Sequence, residues 1–300
     1  VNATEDLVVS GKDVTITDAT LITGNVTITA ADDATITDAN SAVGNVTVTA
    51  NNATELRGTA TELHAFIDEA DKADNAKKIT LKADPAAVVT GPVALAADVV
   101  ALDAVTGDDV GLITLTSATL KGVNSDIKTV MDHAASDING KDAIALEITD
   151  AVSVANIDHL DSLTTGVITA SMSATAIATL KAVAETGNAL SATIKDATLS
   201  ASDLNAFNAK TTGLITIHSD VKTISGNAAD LTAAFAAPST EITGISGQAV
   251  TVTGGATVAQ INTIAAGTTG IVTATVTDTD MATLAGLTLN LDANGVQVND

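Results

Sequence analysis

The 300 residues contain no cysteine, which excludes disulfides and thiolate chemistry. Aromatics make up 1%: three Phe, with no Trp and no Tyr. Globular cores and binding hot spots draw on aromatics for large buried area, so Ala, Val, Ile, Leu and Thr must supply the interior here. Cations are also scarce. Thirteen Lys and Arg face 36 Asp and Glu, a formal net charge of −23. Such a chain repels phosphate backbones and anionic membrane surfaces, which argues against nucleic acid or a lipid headgroup layer as partner. No apolar run reaches the length needed to span a bilayer. No charged-apolar-small leader opens the sequence, which begins at Val1 without Met, so the chain reads as an excised part of something longer.

What is abundant is small and β-branched. Hydrophobic residues reach 46%, enough to bury a core. They recur with a fixed period. Residues 13–30 (DVTITDATLITGNVTITA) match residues 33–50 (DATITDANSAVGNVTVTA), placing Ile16 on Ile36, Gly24 on Gly44 and Val26 on Val46. Each unit holds two Val/Ile/Thr alternations split by a Gly-Asn turn. Period two puts Val14 and Ile16 on one face, Thr15 and Thr17 on the other. A unit of this size cannot bury its own apolar face, but stacked copies can.

From about residue 56 a longer unit follows, with strand-like and helix-like pieces. The strand recurs as GLITLT at 111–116, TGVITA at 165–170, TGLITI at 212–217 and TGIVTA at 269–274. A second strand reads EITDA at 147–151 and TIKDA at 193–197. Helical patterns precede the TG strands at 153–163, 200–210 and 257–267. Ser200 or Ser202 is placed to cap the middle one, and Leu204 and Phe207 share one face. Further helical patterns, each led by a Gly, lie at 56–66, 120–131 and 224–235, with shorter versions at 180 and 284.

The expected fold is mainly β: a repeat solenoid of stacked parallel strands with short helices inserted in the C-terminal two-thirds. Residues 1–55 form plain β-solenoid coils and 56–300 the strand and short-helix repeats, with a junction near 85–92, where Pro85 and Pro92 bracket DPAAVVTGP.

These pieces resemble a family. Asp203-Leu204 with Phe207, Thr164-Thr165-Gly166 before Ile168-Thr169-Ala170, Ile224-x-Gly226 before Asp230-Leu231, and Thr149-Asp150-Ala151 are similar to the repeats of giant cell-surface proteins of marine cyanobacteria and other Gram-negative bacteria. The resemblance covers roughly residues 97–300. It implies an extracellular stalk, surface layer, filament or adhesin, and it brings no catalytic residues. The Gly-Gly-x-Gly-x-Asp calcium nonapeptide is absent from the sequence.

Chemistry-bearing residues are dispersed. His64, His133, His159 and His218 fall in different phases of the repeat and show no metal-ligand spacing, so they read as isolated surface or edge histidines. Acid pairs occur at Asp32–Asp33 and Asp108–Asp109. The calcium candidates are Asp278, Asp280, Asp292 and Asn294, acids and an amide near turns that lack the downstream bidentate Glu of an EF-hand; solvated turn carboxylates are the preferred reading. No G-x-S-x-G, G-x-G-x-x-G or Walker-type loop is present. Sequons stand at Asn2, Asn25, Asn45 and Asn52. Thr15, Thr17, Thr27, Thr29, Thr35, Thr37, Thr47 and Thr49 form rows that would order water, but the rows stop where the helical repeats begin, so β-propensity on an exposed face explains them better.

The sequence therefore predicts a structural extracellular or cell-surface bacterial protein and not an enzyme, self-assembling into a fibre, surface layer or stalk. Its partners are copies of itself or its own flanking repeats, with no nucleic acid, no membrane insertion and no cofactor other than calcium. An adhesin module for a glycan or host surface, and a polysaccharide-active solenoid enzyme, are the alternatives; scattered cations and the single Arg57 speak against a basic cleft for a polyanionic sugar.

Overall fold

The computed structural model describes residues 2–3, 7–11, 14–16, 21–22, 26–30, 34–37, 46–50, 54–64, 79–81, 86–104 and 111–288. It divides into two compact units: residues 1–150 with 160–166, and residues 151–159 with 167–300. The secondary structure is an α/β mix of parallel strands and helices, which corrects the mainly-β expectation. The reason lies in the repeats beyond residue 90, where helices of eight to ten residues recur between short strands.

In the first unit, strands Leu7–Gly11, Val26–Ala30, Val46–Ala50 and Ile79–Leu81 pair in that order, all parallel. Val14–Ile16, Ala34–Thr37, Thr54–Gly58, Ala86–Val89, Ile113–Leu115 and Ile138–Asn139 form a second parallel ladder. The expected 20-residue register holds: Val26 lies opposite Val46 and Ile16 opposite Ile36. Each alternation of a repeat thus enters a different ladder; the Gly-Asn pairs expected to turn the chain between them lie outside the described residues. A third ladder pairs Val93–Leu95 with Thr119–Gly122, and Thr119–Gly122 with residues 145–148.

The second unit follows the same rule. Ile168–Met172, Ala189–Ile194, Ile215–Ile217 and Ile242–Thr243 form one parallel ladder. Thr198–Ser200, Thr223–Gly226, Ala249–Ala256 and Val272–Val276 form another. Period two is visible in burial: Ile168, Ala170 and Met172 point inward, Thr169 and Ser171 outward. Helices Ala201–Asn208, Ala228–Ala236 and Val258–Gly267 pack side by side. Their inward stripes are Leu204 with Phe207, Leu231 with Ala234, and Ile261 with Ile264. Phe207 is fully buried and is among the largest side chains of the core. Ser200 is the N-cap of its helix, accepting from the Asp203 N–H. The LKG and ISG leads, expected as helical, are strands (Thr119–Gly122 and Thr223–Gly226); the helices start just beyond each Gly.

The four TG strands are not copies of one unit. Element order shows a 104-residue period instead. Thr119–Gly122, Asn124–Asp132, Ile138–Asn139, Ala145–Val152, Ile168–Met172 and Ile177–Leu180 recur as Thr223–Gly226, Ala228–Ala236, Ile242–Thr243, Ala249–Ala256, Val272–Val276 and Met281–Leu284. From Thr119 to Thr223 is 104 residues, as from Gly166 to Gly270. The long strands Ala145–Val152 and Ala249–Ala256 share one inside-outside pattern. Gly140 and Gly244 both take a left-handed φ, +79° and +77°. A Cβ there would lie 2.0 Å from the Leu115 carbonyl oxygen and 2.4 Å from that of Ile217, so conformation and space both demand glycine.

Candidate functional site

The most regular polar feature is a Thr-Thr-Gly corner at 164–166, 211–213 and 268–270. The first Thr hydroxyl reaches a carbonyl of the preceding layer: Ile144 at 2.8 Å, Leu190 at 2.8 Å and Gln248 at 2.7 Å from Thr164, Thr211 and Thr268. It accepts the N–H of the Gly two residues on, at 3.0, 2.9 and 2.9 Å. The second Thr donates its N–H to Asp142, Asn188 and Ser246 carbonyls at 2.8, 2.9 and 2.7 Å. The Gly backbone then lies against the same layer. Each corner is a staple between neighbouring layers, and each buried hydroxyl has its partners.

Aspartates form a second set of cross-links. Val123 and Ala176 precede helices Asn124–Asp132 and Ile177–Leu180 and have no side chain able to cap them. Asp150 and Asp196 cap them from a later strand region, accepting the Asn124 N–H at 2.6 Å and the Ile177 N–H at 2.8 Å. Asp278, a calcium candidate, does the same for the Val258 N–H at 2.7 Å. Asp280 caps its own helix through the Thr283 N–H and hydroxyl, and these bonds hold its carboxyl below the ordinary carboxylate value. Asp292 and Asn294 lie outside the described residues, as do Asp32–Asp33 and Asp108–Asp109.

Lysines serve the opposite helix ends. Lys141 is 7% exposed, and its ammonium donates to the carbonyls of Val130 at 3.3 Å, Met131 at 3.1 Å and His133. Lys210 reaches Lys181 at 3.2 Å, and Val183. Positive charge at a helix C-terminus complements the exposed carbonyls there. Burial pushes the Lys141 ammonium below the ordinary lysine value, against the opposing pull of Asp132, Asp142 and Asp137. The folded state therefore binds this proton more weakly than the unfolded chain does. Stability linked to Lys141 rises with pH as the solution passes from the depressed value toward the ordinary one of about 10.4. Urea unfolding across the alkaline range up to the ordinary lysine value, wild type against Lys141→Met, is expected to show a steeper rise of stability with pH in the wild type; equal slopes would refute it.

The histidines do not converge. His64 pairs with Asp98 at 3.9 Å, His133 with Asp103 at 3.2 Å and His218 with Asp220 at 3.1 Å. His159 lies on the helix Val154–Asp161. Among the described residues no three His, Cys, Asp or Glu side chains stand where they could hold a metal ion, and no helix is long and apolar enough to cross a membrane. A groove of about 490 Å³ between helices Ala228–Ala236 and Val258–Gly267 is lined by Ala, Thr and Gln260 only, with no titratable group.

Sequence reasoning located Thr-Thr-Gly as a motif but missed its stapling role, for which the recurrence of the doubled Thr was the available signal. It missed Lys141 altogether; a lone Lys carries no mark of burial. Comparison of the chain with protein-family models, curated proteins and solved structures finds no match.

Proposed function

We propose that this chain is a structural repeat protein of the bacterial cell exterior, a β-solenoid padded by short helices. It builds a fibre, surface layer or stalk and catalyses nothing. The observation that carries the reading is where the polar side chains go. The Thr-Thr-Gly hydroxyls, Asp150, Asp196, Asp278, Lys141 and Lys210 bind backbone groups of neighbouring layers rather than facing a common cleft. Parallel ladders in 20-residue register support the solenoid, because each added layer repeats the last. The charge of −23 sets the conditions of assembly: like chains repel until salt or divalent cations screen them.

Electron microscopy and light scattering of the purified chain, across salt and calcium with a chelator control, test this. Fibres or sheets that strengthen with salt or calcium are expected. A monomer under all conditions overturns the assembly reading; if that monomer captures a glycan, the chain is an adhesin module, and turnover of a polysaccharide makes it an enzyme.

A further inference from the structure

We propose that the outer face of the sheet formed by Thr198–Ser200, Thr223–Gly226, Ala249–Ala256 and Val272–Val276 binds crystalline water. The inference goes beyond the structural role above and does not depend on assembly. Leu199, Ile224, Val250 and Val272 are buried. Alternation turns their neighbours along each strand to the other face. Those neighbours stand in two rows. Thr198 lies opposite Thr223, and Thr223 opposite Ala249. Ser200 lies opposite Ser225, Ser225 opposite Thr251, and Thr251 opposite Thr273. Each row steps by about 4.8 Å from strand to strand, and the two rows stand about 6.7 Å apart along the strands. Hydroxyl rows thus occur among the helix-bearing repeats, where the sequence shows none, because each row draws its residues from separate segments of the chain.

The chemistry of the rows selects the ligand. Ser200 caps its helix. Among the described residues, the hydroxyls of Thr198, Thr223, Ser225, Thr251 and Thr273 bond to no protein group, unlike those of the Thr-Thr-Gly corners. Each offers one donor and two acceptor positions to water. Neither row holds a carboxylate for a mineral cation or an aromatic ring to stack on a sugar. One water molecule gains little from one such hydroxyl. A lattice meets the whole array at once, and many weak contacts at fixed spacing reinforce one another. The first copy of the 104-residue repeat shows that the fold does not require the hydroxyls. At the positions equivalent to Ser225 and Thr251 stand Lys121 and Glu147, an ion pair at 2.6 Å on neighbouring strands.

The test is inhibition of ice recrystallisation by the full chain, in low salt with chelator so that cation-driven assembly is absent. The unmodified chain is expected to arrest crystal growth and to facet the crystals. Ser225→Lys combined with Thr251→Glu, the pair that the first copy carries, should lose this activity with thermal unfolding unchanged. Ala266→Lys, on the exposed side of helix Val258–Gly267, should keep it. In the frozen unmodified chain, magnetisation transfer from ice should reach the methyl groups of Thr223, Thr251 and Thr273 ahead of that of Thr263 on the same helix; this measurement decides the placement should the double variant not fold. Ice growth equal to that in an inert acidic protein overturns the proposal. Full activity in the folded double variant, or equal transfer at Thr263, overturns it too. Assembly is read separately in salt and calcium, so either reading can fail alone.

Discussion

Gly213→Ala is expected to destabilise the second unit by about 3 kcal/mol or more, the upper range for overpacking. The added Cβ would come within 2.4 Å of the Leu190 carbonyl carbon and 2.5 Å of its oxygen. Those are backbone atoms of a paired strand, so no flexible side chain can yield. Gly270→Ala meets the same obstacle, 2.1 Å from the Gln248 oxygen. Relief would require the layers to separate, which also strains the Thr211 or Thr268 hydrogen bonds. Gly247→Ala is the control. Its Cβ meets nothing within 4 Å, and its φ is ordinary. A change within about 0.5 kcal/mol is expected there. Urea midpoints of the three variants decide the matter, and equal midpoints for Gly213→Ala and Gly247→Ala would remove the close-approach argument.

Ile215→Asp is expected to unfold the layers around it. Ile215 is fully buried in its strand, and its neighbour Leu214 is 41% exposed. A carboxylate at 215 would lie among apolar side chains with no partner, at a cost of several kcal/mol. At 214 the same carboxylate reaches water, and the expected cost is below about 1 kcal/mol. One residue of displacement along a strand reverses the face, so the pair tests inside and outside with almost no change of location. Circular dichroism and thermal unfolding of both variants provide the measurement. Similar losses at 214 and 215 would show that the alternation does not govern the core.

Much of this architecture was legible without coordinates. The match of residues 13–30 to 33–50 predicted the register of Val26 with Val46, because strand pairing at a fixed offset leaves the same spacing in the chain. Helix starts at 154, 201 and 258 followed from local apolar spacing and caps such as Ser200. The helix Ala96–Ala104 was not anticipated, since a short Ala- and Val-rich segment reads weakly at period 3.6. The 104-residue repeat was also obscured. TG strands are similar in wording, so Gly166 and Gly213 looked equivalent, whereas the layers make Gly166 the counterpart of Gly270.

Composition and local periodicity by themselves determined the parallel strands, their inside and outside faces, the uniform acidity and the lack of any catalytic motif. Each of these depends on residues near one another in the chain. Only the tertiary structure decided that Asp150 caps a helix 26 residues before it, that Lys141 is buried beneath the other end of that same helix, and that each Thr-Thr-Gly corner grips a carbonyl at least 20 residues upstream. Those partners are set by which layer comes to rest on which, and a backbone carbonyl has no side chain through which the sequence could announce its place.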